Sequence, residues 1–66
     1  MAKILKVEIV YDEENDSNVV CVQFDAEPTA ENLKHAIEES ACPFPWGTPF
    51  LSSYVEGGWW YDIGNA

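Results

Sequence analysis

Asp12, Glu14 and Asp16 stand at alternate positions in the run Asp12-Glu13-Glu14-Asn15-Asp16-Ser17. Carboxylates spaced this way open a calcium loop, which also needs a glycine at its sixth position and a bidentate glutamate at its twelfth. Ser17 and Gln23 occupy those positions, so the run reads as a solvated turn and no metal is expected. The other groups that could do chemistry are scattered. His35 is the only histidine, and its spacing of four from Glu31 suits an exposed pair on a helix. Cys21 and Cys42 lack CxxC spacing and have no metal-ligating neighbours, so they read as buried, unpaired thiols. Nucleophilic catalysis needs a base converging on its nucleophile, and the spacing brings none to either cysteine. There is no phosphate loop, HExxH or GxSxG pattern, and paired acid–base carboxylates need a cleft that a chain this short scarcely forms. A protein without catalytic activity, cofactor or metal is the expectation.

Binding chemistry is better represented. Residues 1–40 hold ten of the twelve carboxylates and all three lysines, while residues 44–61 hold seven of the nine aromatics. The net charge is −9, with no arginine, so free nucleic acid and anionic membrane surfaces are repelled. The same charge favours another protein with a basic surface, and it also keeps a small chain soluble. Asp12, Glu13, Glu14 and Asp16 are the expected steering residues. Trp46, Tyr54, Trp59 and Trp60 are the expected affinity residues, because interface hot spots are enriched in Trp and Tyr.

The elements that must position these groups follow from pattern. Sixty-six residues make one domain, spanning 1–66, near the lower limit for folding without metal or disulfides. In Ile4–Tyr11, Leu5, Val7, Ile9 and Tyr11 share one face of a strand; in Val19–Phe24, Val20, Val22 and Phe24 form the inward set. These two strands and the acidic turn between them read as an antiparallel hairpin. Pro28 and Thr29 open a helix with Thr29 as N-cap; Ala30, Leu33, Ile37 and Ala41, with Ala36 beside them, form its apolar stripe, and Pro43 stops it. Three prolines between Pro43 and Pro49 predict an ordered, irregular loop over 43–50 that presents Trp46. Leu51–Val55 and Trp59–Ile63 then flank Glu56-Gly57-Gly58 as a second hairpin, the glycines supplying positive φ. The alternation of Trp59-Trp60-Tyr61 sends Trp59 and Tyr61 to one face and Trp60 to the other; one face meets the helix, and the other lies open unless a partner or the 43–50 loop covers it.

The fold class is therefore α+β, a small ββαββ domain with a four-stranded sheet, antiparallel or mixed, and one helix packed on one face. The stretch Val22-Gln23-Phe24-Asp25-Ala26-Glu27-Pro28, followed by Glu31-Asn32-Leu33-Lys34-His35-Ala36-Ile37, resembles the ubiquitin-type β-grasp proteins over about a quarter of the chain. That resemblance implies a β-grasp-like topology. It implies no modifier activity, since Gly57-Gly58 is internal and is followed by Trp59-Trp60.

Together these features predict a small, acidic, non-enzymatic protein-binding module that modulates or inhibits a partner protein. A phage-type DNA mimic is the alternative, with Glu8, Asp12, Glu13, Glu14, Asp16, Asp25, Glu27, Glu31, Glu38 and Glu39 standing in for phosphates on a nucleic-acid-handling enzyme. A self-assembling subunit, a homo-oligomer joined through its aromatic face, is the third reading. No leader precedes the first strand pattern and no apolar run nears the ~18 residues of a membrane span, so a cytoplasmic location is expected.

Overall fold

A computed structural model describes residues 2–66. Four strands and one helix run in the order β1 (Ile4–Asp12), β2 (Ser17–Phe24), α1 (Ala30–Glu39), β3 (Phe44–Leu51) and β4 (Trp59–Asn65). All strand pairs are antiparallel and the sheet order is β1-β2-β4-β3. The ββαββ order and the α+β class match the expectation, and the mixed sheet drops out. The ubiquitin-type likeness covers a strand and its helix and does not extend to the strand order, in which β1 is an edge strand paired with β2 alone.

The central strands β2 and β4 carry the core on both faces. Val20, Val22 and Phe24 point to the helix side, as their alternation requires, and meet Ile63 and Ala36 there. Leu33, Ile37, Cys42 and Tyr61 pack around this cluster, and the Tyr61 ring stands edge-on to Phe24 at 6.1 Å. Helix α1 begins at a capping box: Asn32 N donates to Thr29 Oγ1 at 3.2 Å, and Thr29 N donates to Asn32 Oδ1 at 3.0 Å. Ser40 ends the helix, and Ala41 follows with a left-handed φ of 54°, so the stop comes before Pro43 is reached. Ala30 and Ala41, assigned by spacing to the buried stripe, are exposed.

The opposite face holds a second cluster of Val19, Cys21 and Trp60, covered by Val10, Trp46 and Val55. This cover corrects the sequence reading in the C-terminal half. Residues 44–51 form edge strand β3 instead of an irregular loop, and Ser52–Gly58 is the connection instead of a strand and tight turn. Prolines are admissible there because β3 has a single neighbour and can turn their missing N–H outward. The pairing is interrupted: Pro45 faces Gly64 and Phe50 faces Asp62, leaving Trp46–Pro49 as an excursion opposite Ile63. Gly57 and Gly58 do adopt positive φ, 84° and 72°.

A helix is ~10 Å across and strands lie ~4.8 Å apart, so one helix covers about two strands. Here it covers β2 and β4. Val7 pairs with Val22 and Ile9 with Val20, on the helix side, yet Val7, Ile9 and Tyr11 remain 44, 64 and 53 % exposed; a bulge between Ile4 and Lys6 puts Ile4 on that side and takes Leu5, 59 % exposed, out of the expected stripe. Among the described residues no helix is long and apolar enough to cross a membrane.

Candidate partner-binding site

The acidic turn between β1 and β2 is built on Asp12. Its Oδ1 accepts from the Glu14 backbone N–H at 3.0 Å, and its Oδ2 accepts from Asn15 Nδ2 at 2.7 Å. This is the Asx chemistry that makes Asp a turn former. The side chain is 2 % exposed, and the Asn15 hydrogen bond, with lesser help from Tyr54 and the Glu14 amide, holds its carboxyl below the usual carboxylate range. Asp12 is thus spent on structure, which corrects its placement among the steering residues. Glu13, Glu14 and Asp16 are exposed. Asp16 adopts a left-handed φ of 48°, tolerable for a short polar side chain, and its Oδ1 accepts from the Tyr11 phenol.

Tyr54 reaches this turn from the other end of the chain. It lies in the β3–β4 connection, where Ser52 Oγ accepts from the Tyr54 backbone N–H at 3.2 Å. The Asp12 carboxylate beside its phenol raises the phenol pKa; the Asp16 hydrogen bond does the same for Tyr11. Tyr11, Asp12, Glu13, Glu14, Ser53 and Tyr54 therefore enclose one open hollow of about 520 Å³. Two half-exposed tyrosine rings and the exposed carboxylates of Glu13 and Glu14 line it together. Such a notch suits a cationic side chain, which gains from the carboxylates and from the ring faces together.

The tryptophans separate into different roles. Trp60 is 7 % exposed in the second core cluster, so it is unavailable as an affinity residue, in contrast to the sequence reading. Trp46 is half-buried against that cluster, donates its Nε1–H to Asn65 Oδ1 at 2.6 Å, and stands edge-on to Phe50 at 6.1 Å. Trp59 is 39 % exposed at the start of β4, opposite Phe24. Of the eight residues expected to bind, Asp12, Glu13, Glu14 and Tyr54 line the notch. Asp16 adjoins it through Tyr11, and the three tryptophans lie outside it. Tyr11 and Ser53 were missed; the strand alternation that put Tyr11 beside the turn was the available signal.

The remaining reactive groups are occupied structurally. Cys21 is fully buried and donates to Asp62 Oδ1 at 3.0 Å; burial first, and that carboxylate second, push its thiol up to about 12. Cys42 packs with the cluster on the helix side and Cys21 with the cluster on the opposite side, so the sheet separates the two thiols. His35 pairs loosely with Glu38 at 3.9 Å. No group of three potential metal ligands occurs among the described residues. Nor do the ten acids of the phosphate-array reading share one edge. Glu8 pairs with Lys6 on the face away from the helix, Asp12 is buried, and Glu31, Glu38 and Glu39 stand on the helix. No protein-family model matches the sequence, and searches of characterised proteins and of solved structures return no significant match.

Proposed function

We propose that this protein is a non-enzymatic binding module that captures a basic segment of a partner protein and thereby modulates or inhibits that partner. The observation that carries the reading is the convergence of the acidic turn with Tyr11 and Tyr54 around one hollow. A Lys or Arg side chain entering it would meet Glu13 and Glu14 and lie against the tyrosine rings. The net charge of −9 would speed encounter with a basic surface.

The test is capture from a cytosolic extract with washes of rising salt, followed by association kinetics on the protein identified. Glu13→Gln, Glu14→Gln and Asp16→Asn together should slow association and flatten its salt dependence, because Asn retains the left-handed geometry at position 16. Tyr54→Ala should raise the dissociation rate. Unchanged kinetics in both variants would remove the notch from the reading. Excess duplex DNA should leave the complex intact; release by DNA would favour the phosphate-mimic alternative.

A further inference from the structure

The sheet ends in two edge strands that differ in what they offer a neighbour. Edge β3 is blocked, since Pro45 and Pro49 lack an N–H and Trp46–Pro49 leaves the pairing line. Edge β1 runs nine residues without a proline, with one irregularity, between Ile4 and Lys6. Beside it lie the uncovered side chains of Val7, Ile9 and Tyr11. Long, apolar, unprotected edges are templates for pairing with another strand.

Charge identifies the strand. Residues 2–11 carry Lys3, Lys6 and Glu8, while all the rest of the chain carries one lysine and eleven carboxylates. The β1 edge is thus the one part of this acidic chain that another acidic chain can approach. We propose that β1 pairs antiparallel with β1 of a second copy about a two-fold axis through Val7, joining two sheets into one of eight strands. This inference goes beyond the partner-binding reading and uses a different surface.

The register follows from the sequence of the strand. A two-fold at Val7 sets Lys6 opposite the second copy's Glu8 and Glu8 opposite its Lys6. Within one chain Lys6 Nζ already lies 2.6 Å from Glu8 Oε1 on the face away from the helix. Two copies would therefore close a square of four charges with opposite signs along every side. Lys3 of each copy would lie beside the acidic turn of the other. On the helix side, Val7 would meet the second copy's Val7, with Ile9 of each copy diagonal to that pair. Moving the axis one residue either way sets Glu8 against Glu8 or Lys6 against Lys6, and antiparallel partners of like charge destabilise. The arrangement is isologous, with one patch serving both copies.

Sedimentation equilibrium on the whole chain from micromolar to millimolar concentration tests the proposal. The wild type should show a monomer–dimer equilibrium. Lys6→Glu places carboxylates at both 6 and 8, Glu8→Lys places ammonium groups at both, and each variant alone should dimerise about tenfold or more weakly. An equimolar mixture of the two should recover a one-to-one heterodimer, and the double swap K6E/E8K should recover the homodimer. Both side chains are at the surface, at 58 and 37 % exposure, and circular dichroism checks that each variant is folded. A wild type that stays monomeric throughout, or single variants that dimerise like wild type, would overturn it. Partner capture through the notch should persist in all three variants, so failure here leaves the notch reading standing.

Discussion

Cys21 and Asp62 face one another across the two central strands, the thiol donating to the carboxylate at 3.0 Å within the cluster that contains Trp60. The thiol is fully buried and its pKa is pushed up to about 12. A cysteine held this way is a hydrogen-bond donor inside a core, and its nucleophilicity is suppressed because the thiolate is the reactive form.

Thiol labelling should therefore separate the two cysteines. Half-buried Cys42 should react in native buffer and Cys21 only on unfolding. The folded pKa exceeds the unfolded value, so the contribution of Cys21 to stability is full below about pH 9 and is lost as the pH rises toward 12. Equal labelling rates at neutral pH would show that the β2–β4 interface opens readily.

Removing Trp60 should be far more damaging than removing Trp59. Truncating a buried tryptophan costs ~3–5 kcal/mol, comparable to the whole stability expected of so small a core. Trp60→Ala should therefore be largely unfolded at room temperature by circular dichroism. Trp59→Ala, at a 39 % exposed position, should keep a cooperative transition. A folded W60A chain would mean that Val55 and Trp46 close over the gap.

Gly64 marks the tightest approach in the sheet. A Cβ there would collide with the Phe44 carbonyl oxygen and would meet the Pro45 Cα and the Cys42 Sγ at 2.7 Å each. Two of those neighbours are backbone, so β3 itself would have to move away. Gly64→Ala should cost ~1–3 kcal/mol in chemical denaturation. Gly47→Ala has open space around its Cβ and serves as the control.

Acid should loosen the turn through Asp12. Its folded pKa lies below its unfolded value, so the stabilisation is present above the usual carboxylate pKa and is lost as the pH falls through the folded one. Asp12→Asn should lower the melting temperature at neutral pH and flatten its dependence on acid. Loss of the Tyr54 contact should appear in the same variant as a change in tyrosine absorbance at alkaline pH, where the Tyr54 phenol would titrate closer to 10. Melting curves of wild type and variant that stay parallel down the acid range would assign the turn's stability to its backbone.

Short-range physics was legible in the chain. The alternation in Val19–Phe24 identified the inward residues of β2, Thr29 announced its cap, and Gly57-Gly58 announced positive φ, because each depends on neighbours within a few residues. The acidic turn was also readable as a turn, though not the fact that Asp12 would bury its carboxylate in making it. Tertiary structure decided the rest. Strand β3 exists over Phe44–Leu51 because β4 offers a partner there, and an edge position lets prolines into a strand that local propensity would refuse. Trp60 is core because Trp46 and Val55 cover a face that the sequence left open. The notch joins Tyr54 to Glu13 and Glu14 across some forty residues, and the stripe of β1 stays exposed because a single helix spans two strands of four. Periodicity shows which residues share a face, whereas the cover over that face depends on where distant elements come to rest.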